Sequence, residues 1–278
     1  MNILELTALV FAGSVLAGFI GALTGLGGAI IITPLLTLAL GVDIRYAIGA
    51  ALLSVIATSS GAAAAYVREG FSNIRIGIFM ETATTFGAVL GAMLALLVQG
   101  SAIAVIFGVV LLYTAYLSGR SHDPVSSQDQ PDRFAQFFRM DSTYPTATGL
   151  ESYHVHHIFI GAILMLGAGI LSGLLGIGSG ALKVIAMDDA MRIPFKVSTT
   201  TSNFMIGVTA AASAGLYWKR GYIDPGLGMP VVIGVLLGAL LGARLLPRIK
   251  TRVLRIVFGL VITILAAGMI WHGIGGTI

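Results

Sequence analysis

The chain alternates long apolar stretches with short polar ones. In the first half the apolar stretches cover residues 3–24, 29–41, 46–67, 76–98 and 101–117. In the second half they cover 158–175, 180–191, 197–217, 226–246 and 253–272. Most approach the roughly 20 residues that a helix needs to cross a hydrocarbon core. The second stretch of each half does not: at about 12 residues and 1.5 Å per residue it reaches only ~18 Å. Each short stretch follows directly on a glycine cluster. The pattern predicts a long arm, a glycine-rich tip inside the membrane and a short return arm. The fold class expected is all-α: a polytopic membrane protein with broken or hairpin helices at the glycine motifs.

The halves also match each other at a constant offset of 151 residues. Gly18 matches Gly169, Gly25-Leu26-Gly27 matches Gly176-Ile177-Gly178, Thr58 matches Thr209, Tyr66 matches Tyr217, and Phe107-Gly108 matches Phe258-Gly259. One ungapped offset running from residue 18 to 108 indicates an ancestral duplication, which is common among transporter folds. The division this implies is a first membrane repeat over 1–117, a polar linker over 118–157 and a second membrane repeat over 158–278. The linker's polar, proline-bearing stretch over 121–132 predicts an aqueous and partly disordered connection. Five segments per half is an odd number, so the second repeat must be inverted relative to the first.

Composition narrows the classes. Charged residues make up 10% of the 278, against 56% hydrophobic ones, and mean hydropathy is +0.95. A soluble domain carries about a quarter charged residues, so much of this surface must face lipid. A disordered chain, a nucleic-acid binder and a soluble enzyme are excluded as readings of the whole. The 37 glycines suit close helix packing in lipid. With no cysteine, disulfides and thiolate metal sites are absent. The first residues lack a basic n-region, which reads as a retained helix and not a cleaved signal peptide. With both termini outside, 13 of the 16 Lys and Arg fall on the cytoplasmic side, and Arg45, Lys219 and Arg220 fall outside. That bias supports the inverted repeat and a multi-pass protein of the bacterial or archaeal plasma membrane.

Four groups could carry chemistry. The tips Thr24-Gly25-Leu26-Gly27-Gly28 and Gly176-Ile177-Gly178-Ser179-Gly180 would present unpaired helix N–H groups and the positive dipole end to an anion. Tight helix packing would use Gly-x-Gly equally well. Lys183, on the short return arm, is either a counter-charge for an anion or a lysine snorkelling to the interface. The polar run 198–203, above all Thr201, Ser202 and Asn203, supplies hydroxyls and an amide suited to oxyanion oxygens, or to ordinary interhelical bonds. Glu81 could relay a coupling proton, or pair structurally with Arg75. His154, His156 and His157 lack a convincing metal-ligand spacing. Asp188-Asp189 reads as a solvated turn. No metal, cofactor or catalytic set is expected, and the chain is not read as an enzyme.

Two stretches resemble the signatures of the sulfite exporter TauE/SafE family. One is Gly21-Ala22-Leu23-Thr24-Gly25-Leu26-Gly27-Gly28 followed by Thr33-Pro34. The other is residues 173–180 with Thr201-Ser202-Asn203-Phe204-Met205-Ile206-Gly207-Val208-Thr209-Ala210. Two departures stand out: Gly178-Ser179-Gly180 where the family usually has three glycines, and Ala50-Ala51 where it often has Thr-Ser. The resemblance implies secondary transport of a small anion, of the sulfur oxyanion or organosulfonate class, by alternating access. The alternative is a channel-like pore for small anions or neutral solutes. Expected partners are the small anion and the lipid bilayer, with a homo-oligomer left open and no nucleic acid.

Overall fold

A computed structural model describes residues 3–24, 28–68, 71–118, 132–146, 149–245 and 251–276. The first half holds α1 (Ile3–Thr24), a short α2 (Ala29–Pro34) continued by a π-helical turn (Leu35–Ala39), α3 (Ile44–Arg68), α4 (Ile74–Leu97) and α5 (Gly100–Ser118). The linker carries α6 (Arg133–Phe137) and an antiparallel pair, β1 (Ser142–Thr146) with β2 (Gly149–Tyr153). The second half repeats the first: α7 (Ile158–Leu175), α8 (Gly180–Ile185) with its π-helical turn (Ala186–Ala190), α9 (Phe195–Lys219), α10 (Pro225–Leu245) and α11 (Thr251–Ile274). Helices α1, α4, α7 and α10 are long and apolar enough to cross a membrane, and shorter apolar helices accompany them. Large side chains such as Phe86, Ile163, Leu240 and Trp271 stand exposed on these helices, where lipid replaces water as their solvent. The chain is an all-α polytopic membrane protein, as its hydropathy predicts.

The repeat extends to individual contacts. Helices α2 and α8, their π-helical turns, and α3 and α9 begin and end at residues exactly one offset apart. Helix α1 packs along α10 as α7 packs along α4, while α3 crosses α9 and α5 crosses α11. A Cβ added at Gly87 would strike the Leu166 carbonyl and the Ile170 amide; one added at Gly238 would strike the Val15 carbonyl and the Phe19 amide. Subtracting 151 from Gly238, Leu166 and Ile170 turns one set into the other. Backbone meets backbone at these crossings, and only a residue without a side chain allows that approach.

Loop contacts sort the connections to two ends. At one end Arg45 Nη2 donates to the Val98 carbonyl at 2.8 Å, and the Tyr46 and Tyr222 rings meet edge to face at 5.5 Å. The start of α3 therefore shares an end with the finish of its own repeat mate, α9, so the two copies run in opposite directions. At the other end Asn73 joins three elements. Its Oδ1 caps α4 by accepting from Ile76 N at 3.1 Å, its backbone N–H donates to Thr201 Oγ1 at 3.0 Å, and its Nδ2 donates to the Met140 carbonyl at 2.8 Å.

Three features depart from the sequence reading. Each return arm contains a π-helical turn. Pro34 is not the shared cause, because its mate is Ile185; both turns close alike, Val42 N on Leu36 O and Ile193 N on Met187 O. The linker is not a featureless polar connection after residue 132. Ala135, Met140, Tyr153 and Val155 bury themselves against Ile76, Met80, Met187 and Met205, because its scattered apolar residues find a greasy helix end to cover. Residues 119–131, with most of the proline-bearing stretch, lie outside the described residues. Asp188 is buried in its π-helical turn and is not part of a solvated loop.

Candidate functional site

The second glycine motif breaks its helix as predicted. Gly176 takes φ 70° and donates to the Ser172 carbonyl at 2.8 Å, ending α7. Gly178 at φ 69° and Ser179 at φ 45° continue in the left-handed region before α8 begins. Glycine adopts that region freely, whereas a side chain there costs about 1–2 kcal/mol, so Ser179 is the strained member. Residues 172–180 are all buried. The first i to i−4 bond of α8 runs from Lys183 N to Ser179 O at 3.0 Å. Helix geometry thus leaves the amides of Gly180, Ala181 and Leu182 without an intrahelical acceptor. The Ser179 hydroxyl is buried and has no hydrogen-bond partner. A Cβ at Gly178 would face Val55 and Ile206, and one at Gly180 would face Ile206 and Ser202.

The first motif is described in part. Thr24 ends α1 and Gly28 precedes α2, accepting from Ile31 N at 3.0 Å and Ile32 N at 3.1 Å. A Cβ at Gly28 would press on the Ala17 carbonyl and Gly18 Cα, each at 3.3 Å, so α2 turns back close against α1. Gly25 and Gly27 lie outside the described residues.

Beside the second elbow sits a buried polar cluster. Lys183 of α8 is wholly buried, with Nζ 3.4 Å from Glu81 Oε2 of α4. The ammonium also donates to Thr209 Oγ1 of α9, whose hydroxyl donates on to Glu81 Oε1. Thr85 Oγ1 adds a fourth contact, to Glu81 Oε1 at 3.1 Å. Neither bland alternative from the sequence holds. Lys183 does not snorkel to an interface, and Glu81 does not pair with Arg75, whose Nη1 donates to the Arg139 carbonyl at 2.8 Å. Opposite charges drawn together offset part of their desolvation cost, and hydrogen bonds satisfy the remaining lone pairs. The repeat mates of Glu81, Lys183 and Thr209 are Val232, Ile32 and Thr58. Thr58 turns its hydroxyl back to the Ser54 carbonyl of its own helix at 2.9 Å. A symmetric scaffold therefore holds an asymmetric charge cluster.

The polar run of α9 divides among three places. Ser202 Oγ donates to the Gly180 carbonyl at 3.1 Å, so it joins the elbow. Thr201 accepts from Asn73 N and ties α9 to the start of α4 instead. Asn203 is half-buried, and its carbonyl accepts from Ser59 Oγ at 2.8 Å at the crossing of α3 and α9. Thr209, which links Lys183 to Glu81, was visible beforehand as the repeat match of Thr58 and within the second family signature, with no role of its own assigned. In the linker, His154 Nδ1 lies 3.1 Å from Asp141 Oδ2, a pairing that the spacing along the chain did not suggest. Among the described residues no cluster of three or more His, Cys, Asp or Glu could hold a metal ion.

Comparison with known proteins fits this architecture. Residues 10–269 match the family model described as sulfite exporter TauE/SafE. The chain is 25% identical over 268 residues to the Bacillus subtilis (strain 168) protein named "Probable membrane transporter protein YunE", covering 93% of this chain and 95% of that one. It is 26% identical over 275 residues to a "Probable membrane transporter protein" of Xylella fastidiosa (strain 9a5c), covering 98% and 97%. No solved structure matches the chain. A helix broken at paired glycine motifs, a fold that repeats at one offset and a family match across nearly the whole length agree: the chain belongs to the sulfite exporter TauE/SafE family of membrane transporters.

Proposed function

We propose that this chain is a secondary carrier of a small anion, of the sulfur oxyanion or organosulfonate class, working by alternating access in the plasma membrane. The observation that carries the reading is the elbow over 176–179. A helix starts there in the protein interior, with three amides lacking helical acceptors and the buried Ser179 hydroxyl unpartnered. Gly176, Gly178 and Gly180 let an oxyanion reach the backbone, while Ser179 and Ser202 offer hydroxyls. Lys183 supplies the positive charge one turn further on. Thr24, Gly25, Gly27 and Gly28 of the first motif are assigned the same role by the repeat, since Gly25 and Gly27 match Gly176 and Gly178 at the common offset. Half-buried Asn203 borders the route along α9, Thr201 holds α9 in place against the start of α4, and Glu81 carries a coupling proton. Two oppositely directed repeats give the scaffold two equivalent ways of packing, which is what opening to alternate sides requires.

The test is flux into proteoliposomes with labelled sulfite, thiosulfate, sulfate and alkyl sulfonates, with and without a pH gradient. A carrier is expected to saturate and to show counterflow. Rapid flux without counterflow would replace the carrier with a channel, and no flux of any anion would end the reading.

A further inference from the structure

We propose that the transported anion and the Glu81 carboxylate are alternative partners of Lys183, so that each monovalent anion crosses with one proton and dianions are excluded. The proposal rests on the anion-carrier reading and adds its coupling and its charge selectivity. It begins from the charges facing Glu81. Helix α8 presents Lys183, α9 presents Thr209, and α4 itself presents Thr85. Helix α7, packed along α4, has no ionisable residue between its ends. Arg75, earlier on α4, is turned to the Arg139 carbonyl. The ammonium and carboxylate therefore sum to zero in a site that excludes water. An uncompensated charge in such a place is expensive, so the carrier crosses readily only in states whose buried charges cancel.

The empty state already cancels. Helical side chains lean toward the N-terminus of their helix, so the Lys183 ammonium points back toward the elbow and its bare amides. A monovalent anion bound there adds one negative charge. The sum returns to zero when the Glu81 carboxylate takes one proton from water on the open side, forming a single O–H bond with no electron transfer. The neutral carboxyl no longer needs the ammonium, which then serves the anion. Thr209 adjusts by rotating its hydroxyl: it donates to the carboxylate in the empty state, and accepts from the carboxyl in the loaded state. A dianion leaves one negative charge over even after Glu81 is protonated, and among the described residues no other carboxylate contacts Lys183, Thr209 or Glu81. The repeat mates Val232 and Ile32 cannot titrate, so each protomer has one such unit.

The test uses the purified full chain in liposomes, with labelled methanesulfonate as monoanion and sulfate as dianion. An inward proton gradient should drive methanesulfonate accumulation, and clamping the membrane potential with potassium and valinomycin should leave it unchanged. Sulfate uptake should be lower by about 10–100-fold, the span of a coupling free energy of this kind. E81Q imitates the protonated carboxyl, so its loaded form is neutral while its empty form holds a stranded ammonium. It should exchange methanesulfonate for methanesulfonate, yet lose proton-driven accumulation by the same factor of about 10–100. The double variant E81Q/K183Q lacks both charges of the pair and serves as the folded reference, and it should lose exchange as well. Accumulation that follows the membrane potential would overturn the proposal. So would sulfate carried as well as methanesulfonate, E81Q accumulating like the wild type, or E81Q inserted and monodisperse but without exchange. Wild-type protein that exchanges no anion would instead remove the carrier reading beneath it.

Discussion

The two glycine crossings allow a prediction in which symmetry itself is the control. Consider Gly87→Ala on α4 and Gly238→Ala on α10. The new methyl group would meet backbone, not a flexible side-chain end: at Gly87 the Leu166 carbonyl and the Ile170 amide (3.1 Å), at Gly238 the Val15 carbonyl and the Phe19 amide (2.7 Å). Restoring ordinary contact parts the helices by roughly 1 Å, a gap that forfeits a quarter to a half of each dispersion well of about 0.1–0.2 kcal/mol. Over some forty contacts along a crossing this comes to about 2 kcal/mol, within the usual range for overpacking. Alanine returns about 0.5–1 kcal/mol through its better helix propensity, so each variant should lose about 1–2 kcal/mol. The crossings share no partners, so the double variant should lose the sum. Gly167→Ala on α7 and Gly215→Ala on α9 are the counterparts, because a Cβ there meets nothing within 4 Å and should be neutral or stabilising. The assay is thermal unfolding of detergent-solubilised protein for all five variants. Gly87→Ala melting with the wild type would refute the backbone-contact argument. Gly167→Ala losing as much as Gly87→Ala would refute it too, by showing that any added methyl harms these helices.

Removing one member of the buried pair should be worse than removing both. Lys183→Met leaves the Glu81 carboxylate without its cation and should cost about 3–5 kcal/mol, while adding Glu81→Leu should recover most of that loss; equal melting temperatures for the single and double variants would contradict it. Burial, the largest influence, raises the Tyr153 phenol from 10.0 to about 12, against hydrogen bonds with Asn73 and Ser142 that pull it down. The docked phenol therefore keeps its proton when the undocked one has lost it. Linker docking should be undiminished below pH 10 and weaken as pH rises through 12, and Tyr153→Phe should remove this dependence from hydrogen exchange over 140–155. Because the chain has no cysteine, Gln99→Cys and Leu150→Cys report topology cleanly. An impermeant maleimide should label the first only from outside and the second only from inside, and labelling of both from one face would exclude the oppositely directed repeats.

What the sequence made legible, and what it hid, follows from the range of the interactions concerned. The spans were legible because lipid imposes one rule on every residue of a crossing helix, and the rule leaves a local run of apolar residues. The elbow at 176–179 was legible because left-handed backbone needs glycine at particular positions, and Gly176 and Gly178 occupy them. Duplication added a second copy of each signal, so the common offset of Gly87 with Gly238 and Thr58 with Thr209 could be seen without any structure. The charge pair was hidden for the opposite reason. Glu81 and Lys183 are 102 positions apart on elements brought together by the crossings of α4 and α8 with α9. Nothing local to Glu81 distinguishes a partner at Arg75, six residues away, from one in the other repeat. The linker was misread similarly: Met140 and Tyr153 look like stray apolar residues in a polar segment until Asn73 gathers the Met140 carbonyl and the Tyr153 hydroxyl onto the end of α4. Symmetry could have narrowed the search. The first repeat has Glu81 where the second keeps Val232, and the second has Lys183 where the first keeps Ile32; either charge alone would be costly in the bilayer, and two such departures in one bilayer-spanning scaffold are best placed against each other.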